Sequence, residues 1–201
     1  MNSQGKTSRL GMFMLLLLIA ETVLILLSWI LSAMRVEGVR SLLSGEGVRW
    51  FFGHFTSMVA SPWLACLVLM LVALGCLQKS GLFVQPHTSY RDRMALRITV
   101  VFLVLYVGVI LLLTAIPHAV LLSSTGSFFP SPFSRSIVPL LSFGIILVSV
   151  TFGMVSGRFQ TLADVLDALS FGCRKGAPLF IFYILLIQLY ESLRFVFPLT
   201  V

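Results

Sequence analysis

Charge is scarce in this chain. Lys, Arg, Asp and Glu supply 10% of its 201 residues against 58% hydrophobic, with a mean hydropathy of +1.04. That leaves too few polar side chains to coat a water-soluble surface of this size, and a soluble globular protein is excluded. Cysteine is sparse too. Cys66, Cys76 and Cys173 are odd in number, lie in or beside apolar stretches and show no CxxC spacing, so they read as small packing residues rather than disulfide partners or metal ligands. Catalytic signatures are lacking: Ser80-Gly81 and Gly144 offer no nucleophile elbow, and neither GxGxxG nor HExxH occurs. No enzyme and no cofactor is therefore expected. His54, His87 and His118 stand at helix ends without a second ligand at metal spacing, so no metal site is expected either. Nor is there a basic block. The formal net charge of +7 is spread over short loops, which suits anionic lipid headgroups and not nucleic acid.

What the sequence does hold is five apolar stretches, at about 10–33, 55–78, 98–116, 137–155 and 178–198. Each approaches the ~20 mostly apolar residues that a spanning helix needs. They predict an all-α polytopic membrane protein, a single transmembrane domain over 1–201 with about five transmembrane helices plus short interfacial helices. The first stretch reads as an uncleaved helix, because its apolar run continues through Trp29 to Ala33, beyond the ~7–15 residues of a signal core. Between residues 34 and 54, Val39, Leu42, Leu43, Val48, Trp50, Phe51 and Phe52 mix with Arg and Glu, as in a helix lying at headgroup depth. A second interfacial helix is expected over 162–169, where Leu162, Val165, Leu166 and Leu169 share one face and Asp164 and Asp167 point elsewhere. Ser61-Pro62 in the second span, and Pro139, Gly144 and Gly153 in the fourth, are points where a membrane helix can bend or open.

Loop charge predicts orientation, because basic loops stay on the cytoplasmic side. Nine Lys and Arg fall on one side, in the N-terminus, the second loop and the fourth loop. Five fall on the other. The N-terminus is thus expected inside and the C-terminus outside, with Ser134–Ser136 outside and Thr88–Arg93 inside.

Three residues are candidates for substrate or ion binding. Glu21 lies eleven residues after Leu10, near mid-membrane, where a charge costs ~2.5–3.5 kcal/mol on insertion scales. It is either a proton or cation site or a hydrogen-bonded contact to Thr22, Ser28 or a partner helix. Gln188 and Glu191 lie three apart in the last span, with Arg194 a further three on. This stripe either lines a pathway or glues helices, with Glu191 and Arg194 placed to form an ion pair at the membrane edge.

Two passages carry a more specific pattern. Residues 39–82 contain Leu42-Leu43-Ser44, then Glu46-Gly47, a helix and a closing Lys79-Ser80-Gly81. Residues 114–165 carry Pro117, Gly126-Ser127, Ser131-Pro132-Phe133, Ile137-Val138-Pro139, Phe152-Gly153, Gly157 and Asp164-Val165. Together they resemble the p-aminobenzoyl-glutamate transporter (AbgT) family, in which an "LLS-x-EGLRW" element precedes a helix ending in "EKSGL". In that family an "SPF" loop likewise leads across a helix to a "YG…G…DV" turn. The resemblance implies a cell-membrane (inner-membrane) protein, multi-pass and transport-related, for p-aminobenzoyl-glutamate or a related small anionic substrate. Family members are more than twice as long and carry a re-entrant hairpin and polar transport helices where this chain has only residues 83–96. A later helix bearing "F-x-x-SN" corresponds here to Ile187-Gln188-Leu189, followed by Glu191-Ser192-Leu193-Arg194 in place of the Ser-Asn pair. What is retained resembles the family's dimer-forming scaffold. Two functions follow: an oligomeric carrier, or a non-transporting scaffold that associates with itself or with a longer relative. In both, the partners expected are the lipid bilayer and a second membrane chain.

Overall fold

The computed structural model describes residues 3–36, 38–82, 90–115 and 132–198. Among these residues the chain forms six α-helices and no strand: α1 (Ser3–Ala33), α2 (Gly45–Val59), α3 (Pro62–Ser80), α4 (Tyr90–Ala115), α5 (Pro132–Val155) and α6 (Leu162–Val196). Five stretches are long and apolar enough to cross a membrane: Leu10–Ala33, Gly45–Ser80, Tyr90–Leu113, Ser136–Val155 and Leu162–Val196. Helices satisfy this environment because every backbone N–H and C=O finds its partner within the segment. The protein is an all-α multi-pass membrane protein. It divides into two compact units, Met1–Leu64 with Pro178–Val201, and Ala65–Ala177.

In the first unit, Leu24 and Ser28 form the buried face of α1. Ser28 Oγ donates to the Ile25 carbonyl at 2.8 Å and accepts from the Leu42 N–H at 3.2 Å, so a hydroxyl fixes the turn that leads into α2. That turn ends at Ser44, whose side chain accepts from the Gly47 N–H at 3.0 Å, a helix N-cap. Gly47 is required here, because a Cβ would stand 2.5 Å from the carbonyl oxygens of both Ser41 and Leu42. Leu24, Leu42, Phe195 and Val196 make the core, and Trp50 stacks on Phe195 with ring centroids 4.3 Å apart.

Two elements run differently from the sequence expectation. The stretch 55–78 is interrupted at Ala60 and Ser61, and α2 carries the amphipathic segment on to Val59. Pro62 explains the break: it has no N–H to donate, and its ring drives Ser61 out of helical backbone. The Val59 carbonyl left over is taken by the Tyr183 hydroxyl at 3.1 Å, which in turn accepts from Ser61 Oγ at 2.6 Å. Tyr183→Phe is expected to lower stability by about 1–2 kcal/mol, read as a lower melting temperature in detergent. An unchanged melt would assign the break to Pro62 alone. The second difference is that residues 162–169 do not form a separate short helix but continue through Pro178 to Val196. Asp164, Asp167, Arg174 and Lys175 crowd the first half of α6. Such charges are expensive in hydrocarbon, and the stretch from Pro178 onward carries fewer of them.

In the second unit, Cys76, Phe159 and Ala168 are buried together, with Val150, Val165 and Leu169 packed around them. The α5–α6 turn has two local causes. Gly157, at φ 78, closes α5 as its left-handed C-terminal residue, with Arg158 N–H bonded to Gly153 and Gly157 N–H to Met154. Thr161 and Asp164 then cap α6 reciprocally: Thr161 Oγ1 accepts from the Asp164 N–H at 3.2 Å, and Asp164 accepts from the Thr161 N–H at 2.9 Å. Helices α3 and α6 meet through glycine. A Cβ on Gly172 would stand 2.7 Å from the Leu71 carbonyl carbon and 3.0 Å from Gly75 Cα, and one on Gly176 would meet the Leu71 side chain. At the polar end of this contact Asp167 pairs with Lys79 at 3.2 Å and with Arg174.

Candidate functional site

Glu21 occupies the buried side of α1, one turn before Leu24 and two before Ser28. Its Oε1 accepts a 2.9 Å hydrogen bond from Ser192 Oγ of α6, a side chain that is fully buried. Its Oε2 is buried and makes no hydrogen bond. The carboxylate lies on the wall of a cavity of about 160 Å³ to which Gln188 and Ser192 also contribute, with Ile25, Leu42 and Phe51 among its apolar lining. Gln188 and Ser192 are four residues apart, so they share one face of α6.

Of the three candidates, the structure brings Glu21 and Gln188 together, while Glu191 is not part of this wall. The expected partners of Glu21 are otherwise engaged: Thr22 Oγ1 donates to the Leu18 carbonyl and Ser28 Oγ to Ile25. The expected Glu191–Arg194 ion pair is not formed among the described residues, whose ion pairs both involve Asp167. Arg194 is exposed at the end of α6 while Glu191 is half-buried, so the two side chains head for different surroundings. The residue that sequence reasoning missed is Ser192. Its signal was the four-residue step from Gln188, one helical turn, where the three-residue step to Glu191 had drawn notice.

The donor set defines what the cavity can do. Carboxylate, amide and hydroxyl oxygens suit a proton or a hard cation, whereas soft metals favour sulfur or imidazole. Among the described residues no group of three or more His, Cys, Asp or Glu is placed to hold a metal ion, and Cys66, Cys76 and Cys173 are free thiols. His54 Nδ1 lies 3.1 Å from the Trp50 carbonyl; His87 and His118 are outside the described residues. The second unit offers a chemically different space, a groove of about 580 Å³ between α3, α4 and α5 with a hydrocarbon lining that includes Leu77, Leu103 and Leu140.

Comparison with known proteins adds one finding. The family described as the AbgT putative transporter family matches residues 85–194. This region takes in α4, α5, α6 to Arg194, and all of the second passage noted in the sequence, but neither residues 39–82 nor Glu21. No curated protein and no solved structure matches the chain. With five membrane-crossing stretches and a match over more than half of its 201 residues, this multi-pass membrane protein belongs to the AbgT putative transporter family.

Proposed function

We propose that the chain takes part in transport of a small anionic substrate, p-aminobenzoyl-glutamate or a relative of it, as an oligomer in the cell membrane. In this reading Glu21, with Gln188 and Ser192, binds the coupling proton or monovalent cation, and Glu191 stands beside the site on α6. The observation that carries it is the Glu21 carboxylate: one oxygen is held by Ser192, and the other is buried without a hydrogen bond against a cavity. A negative oxygen so placed is costly in a membrane, and a proton or cation entering the cavity removes that cost. The five spans act as one transmembrane domain.

A second reading has its own support. The Glu21 cavity, at about 160 Å³, is smaller than the roughly 300 Å³ at which pockets for drug-sized ligands begin, and its carboxylate repels an anion. The groove in the second unit is lined by hydrocarbon. Neither of these two cavities suits a dicarboxylate substrate, which supports a scaffold that assembles with itself or with a longer relative supplying the transport elements, although a third space of about 250 Å³ on α4 does carry Arg93 and Arg97. Uptake into proteoliposomes containing only this chain separates the two: gradient-driven accumulation of labelled p-aminobenzoyl-glutamate supports the carrier, and its absence together with a stable oligomer supports the scaffold.

The proposed orientation has the N-terminus cytoplasmic and the C-terminus extracytoplasmic, on the nine-to-five division of basic residues. Thr88 is outside the described residues, while Tyr90 opens α4. In intact cells a cysteine at Ser134 is expected to react with an impermeant reagent and one at Tyr90 to stay unlabelled. The reverse pattern would invert the topology.

A further inference from the structure

The groove of the second unit is shaped for one occupant. It begins at Leu77 and Leu82 around the end of α3, runs beside Leu103 and Ile110 of α4, and is walled on α5 from Ile137 to Val148. Tyr106 sets its depth: the hydroxyl donates to the Leu140 carbonyl at 2.8 Å, and the ring lies over Gly144, where a Cβ would come within 2.8 Å of Cε1. Leu103, Ile137 and Leu141 remain exposed, so the groove opens on the protein surface.

Its length and lining suit a lipid tail. The α5 wall is eleven helical steps long, about 16 Å, close to the ~15 Å depth of one leaflet of a ~30 Å hydrocarbon core. A single methylene chain, roughly 4–5 Å wide at carbon contact distance, can lie along it against hydrocarbon side chains. The Leu82 end is basic: Arg158 Nη1 donates to the Ser80 carbonyl at 2.8 Å with its guanidinium against Gly81, and the Arg91 guanidinium lies against Gly157. Guanidinium groups at headgroup depth complement a phosphate.

We propose that this groove holds one acyl chain of a membrane phospholipid, with the lipid phosphate at the Arg158 and Arg91 end. The site is independent of Glu21 and of the transport reading. The full-length chain would be reconstituted in phosphatidylglycerol vesicles containing a tracer phosphatidylglycerol with a diazirine on its acyl chain, and photolabelled residues mapped by mass spectrometry. Labelling at Leu103, Val107 and Ile110 is expected to exceed that at Val101, Val104 and Leu105, exposed residues of α4 outside the groove, by at least fivefold. Val107→Trp, which fills the groove, is expected to cut groove labelling about tenfold, and Val104→Trp to leave it intact. Equal labelling of both sets in the wild-type chain would overturn the proposal, independently of whether any variant folds. So would undiminished labelling in a folded Val107→Trp protein, or a disulfide joining two copies through Val107→Cys in the same vesicles.

Discussion

Gly172→Leu is expected to destabilise the protein by roughly 3–5 kcal/mol, the range that marks a disrupted packing contact, and to lower its melting temperature in detergent by roughly 10 °C. The cause is backbone against backbone. The Cβ would stand 2.7 Å from the Leu71 carbonyl carbon and 3.0 Å from Gly75 Cα, and neither neighbour is the flexible end of a side chain. Relief requires α3 and α6 to separate, which loosens the Gly176–Leu71 contact and the Asp167 pairing with Lys79. Membrane helices depend on such small-residue contacts because lipid supplies no hydrophobic drive for helix association. Gly108→Leu is the control: nothing lies within 4 Å of a Cβ there, so its effect is expected within about 0.5 kcal/mol. Equal melts for the two variants would mean that the glycine contact does not hold the second unit together.

Glu21→Gln and Glu21→Leu are expected to part company. Glutamine keeps an oxygen to accept from Ser192 and removes the charge whose second oxygen is buried without a partner, so stability should hold or rise. Any pH- or cation-dependent flux should nevertheless fall at least tenfold, since a neutral amide neither titrates nor balances a cation. Leucine loses the contact and leaves the Ser192 hydroxyl unpaired in a buried place, at a cost of about 0.6–2 kcal/mol. Melting, oligomer size and flux measured on both variants separate a structural from a coupling role. A glutamine variant with unaltered ion dependence would remove Glu21 from the coupling mechanism, and a leucine variant as stable as wild type would show that the bond to Ser192 contributes nothing.

The helix ends expected at 33, 116 and 155 fall at Ala33, Ala115 and Val155, whereas the starts expected at 55, 98, 137 and 178 miss the helix starts at Gly45, Tyr90, Pro132 and Leu162, although local signals mark several of the boundaries. Ser44 ahead of Gly45, Pro62 at the start of α3, Gly157 at the end of α5 and the Thr161–Asp164 cap all act within a few residues, through hydrogen bonds or a ring that the local sequence supplies. The boundary misjudged at 162–169 has a local reason as well. Its charges marked it as non-membrane, but charge does not stop a helix, and no strong terminator stands before Pro178, which the helix tolerates.

Composition and the five long apolar stretches determined that the chain lives in a bilayer and is helical, because 10% charged residues cannot solvate it and runs of ~20 apolar residues suit a spanning helix, not a shorter transmembrane strand. Which faces meet was left to the tertiary structure. In a soluble helix the polar side declares itself, whereas in the apolar stretches of α1 and α4 most positions are apolar, whether they touch protein or lipid. Glu21 therefore gave no hint of Ser192, 171 residues away, and Gly75, Gly172 and Gly176 drew no notice in the sequence. Only the approach of α3 to α6 gives those three glycines a purpose, and only the packing of α1 on α6 gives Glu21 its partner. Lipid tails are as apolar as leucine, so hydrophobic periodicity carries no record of either contact.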